Sequence, residues 1–139
     1  MKQAEFQLSV STKGRGIFAI KKEFEYWMHN QIIRYGLLML FIPHTSASLL
    51  IQENADPDVL KDLNRFFSRL VPDGDPLYEH QAEGPDDMPA HIRSALTQTH
   101  LSIPVRHNRM ALGIWQGIYL FEHRLYPHTR NVLLHLLDE

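Results

Sequence analysis

Six consecutive apolar residues, Leu37-Leu38-Met39-Leu40-Phe41-Ile42, run up to Pro43 and stop. The run falls far short of the ~20 residues that cross a bilayer, so the reading is of a chain without a membrane span. Its length fits a buried β-strand better than a helix. Residues 47–53 read as a second strand, with no breaker before Asn54. Gln3 to Val10 sets Phe6, Leu8 and Val10 at alternate positions, the period of a half-buried strand. A turn at Gly14-Arg15-Gly16 leads into the short apolar stretch Ile17-Phe18-Ala19.

Helical spacing appears in two main places. Phe24, Trp27, Met28 and Gln31-Ile32 recur at helical intervals, with Gly36 as the expected stop. Asp56-Pro57 is a stronger start: Asp can accept from the free N–H groups of a first turn, and Pro suits the first helical position. Val59, Leu63, Phe66, Phe67 and Leu70 then follow an amphipathic period, predicting a helix over 57–70. A shorter helix starts near Pro89 and carries Ile92, Ala95 and Leu96. Leu101–Val105, Met110–Ile114, Gly117–Glu122 and Thr129–Leu137 read as four short strands with hairpin-like breaks. The sum is an α+β domain of mostly antiparallel strands with two main helices.

At 139 residues the chain has room for one domain, residues 1–139. Fourteen Lys and Arg against sixteen Asp and Glu give a net charge of −2, which excludes a basic protein built to coat nucleic acid. There is no cysteine, so disulfides, thiolate catalysis and cysteine-ligated zinc are all excluded. Met1-Lys2-Gln3-Ala4-Glu5 turns polar at once and predicts no signal peptide. A cytoplasmic domain is expected. Nine histidines are available, so a transition-metal site here has to use imidazole and carboxylate.

Three constellations could carry chemistry. Pro43-His44-Thr45-Ser46-Ala47-Ser48 joins the two apolar strands, and its hydroxyls and backbone N–H groups suit an oxyanion or simply satisfy a polar turn. Residues 71–91 hold four prolines, two glycines and six acidic residues with no Lys or Arg. Within them Tyr78-Glu79-His80, Glu83, Asp86-Asp87 and His91 offer imidazole and carboxylate donors that a bent loop could bring to one ion; the same stretch would also serve as a solvated acidic loop. The third is Gly113-Ile114-Trp115-Gln116-Gly117 through Glu122-His123-Arg124. Trp115 suits a core, and Glu122 and Arg124 share a face by period two, setting a carboxylate beside a guanidinium. Arg124 and Arg130 could fork onto phosphate oxygens or stand as surface charges. No Gly-rich phosphate loop, nucleophile elbow or His-Glu-x-x-His helix is present.

In order along the chain, His44-Thr45-Ser46-Ala47, Glu53-Asn54-Ala55-Asp56-Pro57, Tyr78-Glu79-His80, Glu83 to His91 and Gly113 to Arg124 resemble the YjbQ-like family, known as secondary thiamine-phosphate synthases. The resemblance runs over about the whole chain. It implies a jelly-roll-like β-sandwich assembled as a homotrimer, with a weak thiamine-phosphate synthase activity. It implies His44, His80 and His91 as metal ligands, and it matches Thr45, Ser46, Glu53, Asn54, Asp56, Trp115, Gln116, Glu122 and Arg124 to the family's other polar positions. The chain departs from the family pattern at Asn108 (usually Gly), at Ile114 (usually Thr) and at Leu125-Tyr126-Pro127-His128, which replaces a tighter turn.

These positions predict a metal-dependent enzyme acting on a small phosphorylated metabolite. The imidazoles would hold a divalent ion, zinc-like rather than magnesium, because nitrogen donors favour zinc and oxygen donors magnesium. Arg124 and Glu122 are the expected catalytic pair, one gripping phosphate oxygens and the other serving as base or orienting a ligand. Thr45, Ser46, Asn54, Asp56, Trp115, Gln116 and Arg130 are the expected substrate contacts. The competing reading is a non-catalytic trimeric module that holds such a metabolite without converting it.

Overall fold

The computed structural model describes all 139 residues. Strands β1 (Lys2–Ser11) and β2 (Gly16–Ala19) precede helix α1 (Lys21–His29); β3 (Tyr35–Phe41) and β4 (Ala47–Glu53) then lead into α2 (Pro57–Leu70). After a long loop come α3 (Asp87–Leu96), β5 (His100–Arg106), β6 (Arg109–Met110), β7 (Gln116–Glu122) and β8 (Thr129–Asp138). One sheet has the order β1-β8-β3-β5-β6 and the other β2-β7-β4. Every strand pair is antiparallel. The fold is α+β, an antiparallel two-sheet sandwich curled into a half-barrel.

Strand alternation assigns the faces. Leu8, Leu38, Leu40, Leu101, Ile103, Val105, Val132, Leu134 and Leu136 of the larger sheet meet Ala47, Leu49, Ile118 and Leu120 of the smaller one in a single core. Phe24 and Met28 of α1 are fully enclosed in that core. Side chains of opposite parity on the smaller sheet, Ser48, Phe121 and His123, are buried as well, beneath a layer formed by α2 and α3. The outer face of the larger sheet has no such cover. The apolar run at 37–42 is therefore buried on one side only: Leu38, Leu40 and Ile42 are enclosed, while Met39 and Phe41 stand 41% and 44% exposed. The buried strand expected here is thus buried on one face.

Helix α2 begins as its sequence predicts, with Pro57 in the first turn and the Asp56 side chain accepting from the Asp58 N–H at 2.9 Å. Helix α1 is shorter than its periodicity suggested and ends at His29, well before Gly36. Gly36 instead lies inside β3, where a Cβ would come within 2.3 Å of the Leu137 carbonyl oxygen of β8. Asn108 adopts a left-handed backbone (φ 64°) and its Oδ1 accepts from the Ile33 N–H, so Asn does the conformational work of glycine and adds a bond. The strand expected over 110–114 stops at Met110, and the chain turns at 113–116. Trp115 sits on that turn, 62% exposed, and not in the core.

Candidate functional site

The acidic loop between α2 and α3 is not loose. Arg15 forks onto Asp73 (2.7 and 2.9 Å) and donates through Nε to the His123 carbonyl, tying the loop's start to the end of β7. The Gly74 N–H reaches the Pro85 carbonyl and closes the loop across its neck. Arg124 holds the far end with all three of its nitrogens. Nε donates to Asp86 Oδ2 at 2.9 Å, Nη1 to Asp87 Oδ1 at 2.6 Å and Nη2 to the Glu83 carbonyl at 3.0 Å.

Asp87 opens α3, and His91 lies one turn later on the same face. Asp87 Oδ2 has His80 Nε2 at 2.6 Å and His91 Nε2 at 3.2 Å. These three donor atoms lie within 4.8 Å of one another. The Asp87 side chain is enclosed (3% exposed), whereas His80 and His91 are 41% and 35% exposed, so the cluster has a fixed acidic base and an open imidazole rim. Glu83 Oε2 stands 3.9 Å from His80 Nε2, in solvent. Burial alone would raise the Asp87 carboxyl; the His80 hydrogen bond, with Arg124 behind it, outweighs burial and holds it below the ordinary carboxylate value. Asp86 is likewise held low, against burial, by Arg124 and the Leu125 N–H.

His44 is not part of this cluster. Its Nε2 accepts from the Asn131 N–H at 2.9 Å, which spends that nitrogen on β8 and leaves the ring proton on Nδ1. Burial, followed by the charge of Arg130, lowers its pKa. The third convergent donor is Asp87, one of several loop carboxylates that the sequence offers beside the imidazoles. The four-residue step from Asp87 to His91, at the start of a helix, is the signal that would have singled it out.

Neither arginine proposed for phosphate is free. Arg130 forks onto Glu122, with Nε at 2.8 Å from Oε1 and Nη2 on Oε2, and it also donates to the Ser46 carbonyl. Glu122 is completely buried and further accepts from Thr12 Oγ1 at 2.7 Å and from the Arg124 N–H at 3.1 Å. Burial would raise its carboxyl, but the Arg130 and Thr12 hydrogen bonds and that of the Arg124 N–H bring it below the ordinary value. A carboxylate so saturated is an anchor. It fixes the backbone of Arg124, whose side chain in turn fixes Asp87.

The remaining expected contacts form two groups. Asn54 and Gln116 organise the 113–116 turn: Asn54 Nδ2 donates to the Ile114 carbonyl, the Asn54 N–H to the Trp115 carbonyl, and Gln116 Oε1 accepts from the Gly113 N–H. Asp56 caps α2. The Thr45 side chain is exposed, and the Ser46 carbonyl accepts from the His123 N–H as well as from Arg130. His123, outside the expected site residues, is fully buried with Nε2 at 2.9 Å from Ser48 Oγ.

The chain is a small α+β protein, an antiparallel sandwich with a clamped acidic loop that carries paired imidazoles. The chain belongs to the UPF0047 protein YjbQ-like family, whose model matches residues 5–139. It is 48% identical over 132 residues to the UPF0047 protein sll1880 of Synechocystis, covering 95% of this chain and 90% of that one. It is 44% identical over 137 residues to YjbQ of Escherichia coli O157:H7, covering 95% and 96%. Among solved structures, the conserved hypothetical protein TT1486 of Thermus thermophilus superposes with a TM-score of 0.82 at 35% identity, over 93% of this chain and 97% of that one.

Proposed function

We propose that His80, Asp87 and His91 hold a zinc-like divalent ion and that the protein is a metal-dependent enzyme acting on a small phosphorylated metabolite. The observation that carries this reading is the convergence of two imidazole nitrogens on one buried, charge-fixed carboxylate oxygen. Two donors each ~2.1 Å from a common ion stand roughly 2.9–3.4 Å apart at coordination angles of about 90–110°. The His91–Asp87 separation of 3.2 Å lies in that range, and the His80–Asp87 separation of 2.6 Å needs to lengthen by only a few tenths. The two-nitrogen, one-oxygen donor set suits zinc better than magnesium.

When bound, such an ion would polarise a phosphate oxygen or lower the pKa of a water. The chain's residues set what surrounds that chemistry. His80 and His91 leave an open, solvent-facing side. Next to His80 a cleft of about 390 Å³, lined by Gly74, Asp75, Pro76, Gln81, Gly84 and Pro85, is of a size for a small metabolite. Because Arg124 and Arg130 are engaged by carboxylates, the grip on phosphate falls to the metal side of the cleft. That favours hydrolysis or transfer of a single phosphate over departure of a diphosphate, with thiamine-phosphate synthesis as a secondary activity. The working protein is a cytoplasmic homotrimer, joined through the uncovered apolar face of the larger sheet.

Plasma mass spectrometry on protein purified without added metal tests the centre, with about one zinc-like ion per chain expected. A His80→Ala/His91→Ala pair should lose both the ion and turnover of a phosphate monoester. Substoichiometric metal across Zn, Mn, Fe, Co and Ni would refute the reading. Retained metabolite binding with no turnover in the metal-loaded wild type would favour the binding module.

A further inference from the structure

We infer that Arg124 is the positioning residue of this centre, restricting Asp87 to one ligating oxygen and keeping Asp86 out of the coordination sphere. The inference rests on the metal reading above and adds what decides which ion the centre prefers. Asp86 and Asp87 are adjacent and both buried to 2% exposure. Left alone, two such carboxylates beside two imidazoles would offer an ion up to four oxygens, a set that suits hard cations of high coordination number. A single guanidinium prevents this. It takes Asp86 Oδ2 and Asp87 Oδ1, and the Leu125 N–H takes Asp86 Oδ2 a second time.

Of the two oxygens left, Asp87 Oδ2 faces His80 and His91, and Asp86 lies outside their group. The direction of Asp87 Oδ2 is set by a planar fork that a lysine could not reproduce. The third nitrogen, on the Glu83 carbonyl, fixes the backbone of the residue whose side chain stands beside the open face. Arg124 is itself fixed from behind, since its N–H donates to Glu122 Oε2. The centre is thereby kept at two nitrogens and one oxygen, the donor count of a zinc-like site with open positions.

The test is a selectivity measurement on the full chain. Zn(II) and Mn(II) affinities are determined by chelator competition for wild type, Arg124→Gln and Arg124→Gln/Asp86→Asn, with the visible spectrum of the Co(II) form recorded for each. The paired variant removes the guanidinium together with a buried counter-charge, and it serves where the single variant unfolds. The ratio of Zn(II) to Mn(II) affinity should fall by at least about tenfold in a folded variant. The Co(II) absorption should weaken as the ion gains oxygen ligands. A ratio within twofold of wild type and an unaltered Co(II) spectrum would overturn the role of Arg124 while leaving the centre in place. A wild type that binds neither zinc nor cobalt removes the centre itself, and this role with it.

Discussion

The Arg130 guanidinium and the Glu122 carboxylate meet through two parallel hydrogen bonds at the end of the core, one partner on each sheet. Both side chains are withdrawn from solvent, at 5% and 0% exposure. Such a pair contributes little net stability as a unit, because desolvation offsets attraction, but removing one partner strands the other's charge. Glu122→Gln and Arg130→Gln should each destabilise the protein by about 3 kcal/mol, read from urea unfolding. A loss of less than about 1 kcal/mol would show that the pair is not the inter-sheet anchor described.

The two ends of the His80–Asp87 contact should respond differently to substitution. His80 is 41% exposed, so His80→Ala should cost stability no more than about 1 kcal/mol. Asp87 is buried against Arg124, and Asp87→Asn leaves that guanidinium short of a partner, at roughly 1–3 kcal/mol. Both should weaken zinc binding by at least the roughly 10–100-fold that loss of a partner behind a ligand costs. Calorimetric titration with Zn(II), alongside thermal melts of the metal-free proteins, separates the two effects. Equal destabilisation by both substitutions would contradict the division between open rim and fixed base.

Much of the architecture was legible because it follows local rules. Asp56-Pro57 marked the start of α2 through cap chemistry that acts within a few residues. The alternation of Phe6, Leu8 and Val10 and the apolar stretch before Pro43 gave β1 and β3. What could not be read depends on partners distant in the chain. Nothing near residue 124 shows that its guanidinium meets residues 37 and 38 positions earlier, so it read as free for phosphate. Trp115 has the composition of a core residue, yet its turn is held out by Asn54, 60 residues away from the Ile114 carbonyl it binds. Residue type and loop chemistry mark His80 and His91 in the sequence, but nothing near His44 shows that its Nε2 accepts from the Asn131 N–H, 87 positions away.

Acid sensitivity should come in two stages. Burial, reinforced by the positive charges of Arg93, Arg15 and Arg130, pushes the His123 imidazole down to about 3, from an ordinary value of 6.5. Below pH 6.5 the unfolded chain therefore takes up a proton that the native chain refuses. This contribution is complete above that pH and is lost as the pH falls towards 3, at up to about 1.4 kcal/mol per pH unit. His44, also lowered, adds in the same direction. Asp86, Asp87 and Glu122 have depressed values, so their contributions persist above about pH 4 and disappear only below it. In EDTA, unfolding free energies at pH 7, 6 and 5 should fall steadily for wild type and less steeply for His123→Gln. Parallel slopes for the two proteins would rule His123 out as the main source.

The outer face of the larger sheet yields the last prediction. Phe41 pairs with Leu133 and Met39 with His135 across β3 and β8, and Gln7 flanks Leu133 on β1. Met39, Phe41 and Leu133 are each more than 40% exposed, and they form a contiguous apolar strip with polar residues at its margins. Core-facing positions on the same strands are fully packed, so the strip is not left over from a loose interior. Covering it by self-association would remove apolar area from water with no rearrangement of the sheet. Light scattering should give wild type a mass three times that of the 16.2 kDa chain. Met39→Glu/Phe41→Glu places two like charges on the strip and should yield folded monomers, since neither side chain reaches the core between the sheets. A variant that stays trimeric would move the interface to another surface.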